Sequence, residues 1–97
     1  MYELEKFAVE LTVANHYGVL NRITGLYARR GYNIDSLYVN ETENPELSRM
    51  LIVSRGDAYV RTQVVNQLSK LYDVMEVVLL ARTETPAGAG SKLRQTG

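Results

Sequence analysis

The sequence predicts an α+β domain with a four-stranded antiparallel sheet and two helices on one face. Three observations predict it. Four short segments carry strand patterning and two carry helical spacing, in the order strand, helix, strand, strand, helix, strand. The chain has 97 residues, which is room for one domain and not for two. Hydrophobic residues make up 45% and charged residues 23%, so an ordered core is expected, although a thin one that self-association would help.

The first strand is read from Phe7 to Ala14, where Phe7, Val9, Leu11 and Val13 alternate with Ala8, Glu10, Thr12 and Ala14. Asn15-His16-Tyr17-Gly18 interrupts it with turn residues. From Val19 the apolar positions Val19, Leu20, Ile23, Leu26 and Tyr27 take helical spacing. Arg29 and Arg30 suit the last turn of that helix, and Gly31 suits the left-handed residue that ends it.

Tyr32 to Thr42 reads as the second strand. Ile34 is out of phase with Leu37 and Val39, which predicts a bulge or bend near Asp35-Ser36. A turn at Asn44-Pro45 leads into a third strand over Leu47 to Ser54, paired antiparallel with the second. Gly56-Asp57 opens the second helix, with Asp57 as its N-cap and Val60, Val64, Leu68 and Leu71 on one face. Val74 to Leu80 is the fourth strand. This is the split βαβ arrangement of ferredoxin-like βαββαβ sandwiches. The domain is expected over residues 1–82, and residues 83–97, rich in Gly and Ala, are expected to form a flexible tail.

Several function classes lack their chemistry. Eleven basic residues against eleven acidic ones leave no basic footprint for nucleic acid or an anionic membrane. Cysteine is absent and His16 is the only histidine, so thiolate catalysis and zinc–sulfur sites are gone and no second ligand accompanies the imidazole. No serine sits in a G-x-S-x-G turn, and Gly18, Gly25 and Gly31 are too widely spaced to cradle a phosphate. An RNA-binding domain of the same topology would need stacking aromatics on its central strands, and those offer only Phe7. The reading is therefore of a protein without catalytic residues, metal or cofactor. No secretory signal and no apolar run near ~18 residues is present, which places it by default in the cytoplasm.

What remains is the first strand-to-helix turn. Gly18, Val19 and Leu20 carry free backbone N–H groups at the positive end of a helix, a natural seat for a carboxylate. Asn15 adds an amide that can accept from an ammonium, and Asn33, opening the next strand, is a second candidate amide. A zwitterionic amino acid wants these groups together with nearby aliphatic carbons.

The segments Asn15-His16-Tyr17-Gly18-Val19-Leu20 and Gly25 to Leu37, with its Gly31-Tyr32-Asn33-Ile34 core, closely resemble the ACT domain of the acetolactate synthase (acetohydroxyacid synthase) small regulatory subunit. Leu47-Ser48-Arg49-Met50 and Gln67 to Val74 continue the likeness, which runs from about Phe7 to Leu80. The resemblance implies a homodimer, or a higher assembly of dimers, whose sheets join side by side. Valine or another branched-chain amino acid would bind at the interface and exert feedback control on acetolactate synthase. Asn15 and the amides of Gly18, Val19 and Leu20 would hold the ligand's charged groups. Asn33 would contact it from the neighbouring subunit, and Ile34 would touch its side chain. The catalytic subunit, with its thiamine diphosphate, would be a separate polypeptide. Longer family members carry a second domain, and short members carry one. Tyr17 stands where similar proteins often have a small residue or proline, which bears on the side chain the turn accepts.

Plainer readings stand beside these. Gly18 alone would mark a tight turn, Asn15 a helix cap, and Asn33 the boundary of an element. His16 reads as a solvent-facing turn residue, and Arg29 and Arg30 as a solvated helix end. Two further functions fit the same fold: an assembly module that activates a partner enzyme without sensing a ligand, and an amino-acid sensor for another enzyme.

Overall fold

The structure, a computed structural model, describes residues 5–16 and 18–80. Tyr17, the expected boundary at 82 and the tail 83–97 lie outside the described residues. The elements are β1 (Glu5–Ala14), α1 (Val19–Arg30), β2 (Ser36–Glu41), β3 (Leu47–Gly56), α2 (Ala58–Ser69) and β4 (Val74–Leu80). They form one antiparallel sheet in the order β2-β3-β1-β4, so β1 and β3 are central and β2 and β4 are edges.

The alternation in β1 works as its pattern demands. Phe7, Val9, Leu11 and Val13 are buried and pair across the ladder with Ser54, Ile52, Met50 and Ser48 of β3. Ile23, Leu26 and Tyr27 of α1 and Val64 and Leu68 of α2 close the same cluster. Each such aliphatic side chain contributes about 1.5–3 kcal/mol by leaving water. The opposite face, with Glu10, Thr12, Arg49 and Tyr38, has no helix over it and stays open or half-open.

The helix ends are chemically explicit. Gly31 takes φ 73° and its amide closes the last turn of α1 onto Ala28 and Tyr27, and Arg29 and Arg30 lie in that turn. Asp57 caps α2, its Oδ1 accepting from the Val60 amide at 3.0 Å. Gly56 precedes this cap because a Cβ there would meet Val60 Cγ1 at 2.6 Å.

Three details depart from the sequence reading. α2 ends at Ser69, so Leu71 is not on the helix face but packs on the core from the connection that follows. Residues 32–35 are not strand. The Asn33 side chain takes the Arg55 amide at 3.0 Å, and the Asp35 amide donates to the Val53 carbonyl at 2.7 Å. The chain therefore bends at Asp35, where the phase of Ile34 predicts a bend, and only then enters β2. β4 also carries a bulge: Thr12 pairs with Glu76 and Val13 with Val74, so Met75 has no partner. The bulge turns Val74 onto the core and sets Asp73 beside the end of β1, where its carbonyl accepts from the Ala14 amide at 2.8 Å.

Candidate functional site

The end of β1 and the start of α1 meet at one corner of the sheet. Gly18 is the N-cap residue of α1, at φ 86°, and no side chain caps the helix. Asn15, the expected alternative cap, does something else. Its amide donates to the Glu46 carbonyl at 2.8 Å and its Nδ2 to the Pro45 carbonyl at 3.1 Å. Among the described residues nothing donates to Asn15 Oδ1, which is left as an exposed acceptor beside the uncapped first turn. The Val19 amide makes a long bond of 3.4 Å to the His16 carbonyl, and among the described residues no acceptor outside the helix takes the Gly18 or Leu20 amide. The positive helix dipole, N–H groups of the first turn and a free amide oxygen therefore stand together.

Beside them lies a small cleft of about 90 Å³ lined by Asn15, His16, Val19, Leu20, Val39 and Met50, with Val13, Ala14 and Ser48 behind. Typical small-molecule sites measure ~300–1,000 Å³, so this cleft suits a short aliphatic side chain and needs a further wall. Leu20 and Val39 are 45% and 51% exposed at its rim, on the side of edge strand β2. Leu20, which shares the helical spacing of the apolar positions in α1, lies at this rim and not in the core. Val13, Val39, Ser48 and Met50 join the site only through strand pairing, of which their alternation is the one sequence signal.

Asn33 and Ile34 are not in this corner. They precede β2 at the other end of the sheet, next to Val53 and Arg55, separated from the corner by the length of β2, on the order of 20 Å for six residues at ~3.3 Å each. Asn33 Oδ1 accepts from the Arg55 amide and its Nδ2 donates to Asp35 at 3.2 Å, which leaves one amide hydrogen and one lone pair unused. Ile34 packs against the chain's own core. Arg55, with Nε 2.8 Å from Asp35 Oδ2, and then the Asn33 amide hold the Asp35 carboxyl below its ordinary range.

A larger cleft, of about 450 Å³, lies between the end of α1 and the start of α2, lined by Arg29, Arg30, Tyr32, Tyr59, Val60 and Gln63. It is a wide surface groove with few apolar walls and encloses nothing. In the core, Tyr27 Oη and Ser54 Oγ are buried without a well-formed hydrogen bond. Burial pushes the Tyr27 phenol far above its ordinary range, with the Ser54 hydroxyl acting the other way. Among the described residues no cluster of His, Cys, Asp or Glu could hold a metal ion, and no helix is long and apolar enough to cross a membrane.

A βαββαβ sandwich with an uncapped, glycine-started helix after β1 is an arrangement that ACT domains share. The ACT domain of a Chlorobium tepidum GTP pyrophosphokinase superposes with a TM-score of 0.70 at 18% identity, covering 84% of this chain and 92% of that one, a likeness of fold. The sequence narrows this: the family described as AHAS small subunit-like ACT domain matches residues 9–76, and the chain belongs to that family.

Relatives include the probable acetolactate synthase small subunit of Methanothermobacter thermautotrophicus, 43% identical over 75 residues, 77% of this chain and 45% of the relative. The acetolactate synthase isozyme 3 small subunit of Escherichia coli is 46% identical over 69 residues, 71% of this chain and 42% of the relative. The acetolactate synthase small subunit of Thermotoga maritima superposes with a TM-score of 0.73 at 39% identity, over 77% of this chain and 47% of that one. The chain thus spans less than half the length of these relatives.

Proposed function

We propose that this chain is an amino-acid-sensing regulatory domain that gives acetolactate synthase branched-chain feedback control, with valine as the effector and no catalysis of its own. The observation that carries the reading is the corner of α1, where a first turn without a capping side chain, its Val19 amide held only by a 3.4 Å bond to the His16 carbonyl, and the free Asn15 Oδ1 border a small apolar cleft. A carboxylate seats on the Gly18, Val19 and Leu20 amides, the ammonium on Asn15, and an isopropyl group between Leu20, Val39 and Met50. The catalytic partner is the large subunit that carries thiamine diphosphate, and the setting is cytoplasmic.

The missing wall is a second copy of the chain. Strand β2 is an edge whose outer N–H and C=O groups have no partner in the sheet. Antiparallel pairing of two β2 strands about a twofold axis sets the start of one beside the end of the other. Asn33 and Ile34 of the second copy then approach the Asn15 corner of the first, with one spare donor and acceptor on Asn33. Dimers can stack further into larger assemblies through the open sheet face.

That open face also favours a second reading. Tyr38 and Val78 are exposed there beside half-buried Leu51 and Val53, so the domain can serve as a docking module that activates its partner enzyme without sensing. Calorimetric titration with valine, leucine and isoleucine separates the two. Sensing predicts binding heat and a rise in melting temperature with at least one of them, both abolished by Asn15→Ala. Absence of both effects with all three amino acids, with the large subunit still captured, supports the docking module and overturns sensing.

A further inference from the structure

Asp73 is the residue on which the ligand turn is fastened. Its side chain is 6% exposed, yet it lies in the connection between α2 and β4, fifty-one positions from Arg22. Asp73 Oδ2 accepts from Arg22 Nε at 2.9 Å and Nη2 at 2.7 Å, and Oδ1 lies 3.1 Å from His16 Nε2. The two cationic or donor groups flank the turn on either side, His16 before Gly18 and Arg22 one helical turn after it. The Arg22 guanidinium also packs over the turn, with Nη2 3.8 Å from where a Gly18 Cβ would stand.

The remaining attachments of this segment make the arrangement informative. Asn15 is tied to Pro45 and Glu46. The hydrogen bonds of residues 18–21 that are not part of the helix ladder stay within the segment, Val19 to the His16 carbonyl and Thr24 to those of Leu20 and Asn21. Among the described residues, then, the Asp73 carboxylate is the one polar anchor that ties His16 and Arg22 to another part of the molecule. The β4 bulge at Met75 and the bond from the Ala14 amide to the Asp73 carbonyl put that anchor in place.

We propose that Asp73 is a positioning residue for amino-acid binding: through Arg22 and His16 it holds the left-handed Gly18 turn so that the first α1 amides face the ligand. Asp73 touches no ligand itself. A buried carboxylate gripped by a guanidinium fork has a fixed position, and a fixed position is what the turn needs to meet a carboxylate without first ordering itself. The proposal rests on the reading of this corner as an amino-acid site.

The test uses Asp73→Asn, which keeps the shape and removes the charge, with Arg22→Gln and the double variant, in the full chain. Each single variant is expected to stay folded by circular dichroism and to bind valine at least about tenfold more weakly, with the double variant no weaker than the worse single. Backbone order parameters of Gly18 to Leu20 in the ligand-free protein are expected to fall from ~0.85 toward ~0.6, with those of β1 and β3 unchanged. Wild-type valine affinity in folded single variants, or losses that multiply in the double, overturns the proposal. If the wild type binds no amino acid, the sensing reading fails. The order parameters then still decide whether Asp73 positions the turn: a fall upholds the anchor, and an unchanged turn overturns it. Should Asp73→Asn not fold, Arg22→Gln cuts the same contact from the exposed side.

Discussion

Gly18 shows how much rests on one backbone conformation. At φ 86° a side chain costs about 1–2 kcal/mol, and Gly18→Ala is expected to lower stability by that amount in urea unfolding while weakening valine binding. Asp57 is the contrasting case, because its cap is a side-chain bond to Val60 and its aspartate is plain in the sequence. Asp57→Ala should cost about 1 kcal/mol with no effect on the ligand. Asp35 belongs to neither turn but sets the entry to β2. Arg55 and Asn33 lower its folded pKa, so the unfolded chain binds the proton more readily. The contribution of this pair is therefore complete above the unfolded value near 3.8 and is lost as pH falls below it. Arg55→Gln should flatten the acid limb of a stability–pH curve, and the contribution is small because the pair is exposed.

At the scale of elements, periodicity carried most of the information. β4 begins at Val74 as its apolar run suggests and holds to Leu80, the last described residue, and α1 runs from Val19 to the residue before Gly31. Both are decided by contacts near in sequence or by a single buried face. β2 was legible in phase and not in extent: residues 32–35 have strand composition, but Asn33 and Asp35 spend their polar groups on Arg55 and Val53 and bend the chain. The Met75 bulge and the junction of Asp73 with Arg22 and His16 depend on pairing between distant segments, which no local pattern records. The same holds for Val39 and Met50 at the cleft, whereas Asn15, Gly18, Val19 and Leu20 stood out because they are consecutive along one turn. Edge strand β2 also carries a prediction of its own. Val39 is half exposed at the rim and makes no essential core contact, so Val39→Asp should leave the fold intact by circular dichroism. It should shift sedimentation toward the monomer and abolish the valine response.

For the molecule as a whole, a thin core, a free sheet edge and an incomplete cleft are three aspects of one arrangement. A chain of this length buries a smaller share of its surface than a large domain does, and the proposed pairing through β2 would add buried area where Leu20 and Val39 are exposed. Stability should then rise with protein concentration and with valine together, since the ligand binds the paired form. Asn15 and Asn33 lie at opposite ends of one sheet, and in the proposed dimer they would meet between copies. The most direct test mixes Asn15→Ala chains with Asn33→Ala chains after confirming that each folds. Alone, neither variant should bind valine in the calorimeter. An equimolar mixture allowed to exchange subunits forms mixed dimers with one intact site each, and should recover about a quarter of the wild-type binding stoichiometry. No recovery on mixing, or full binding by either variant alone, would contradict a site shared between two copies.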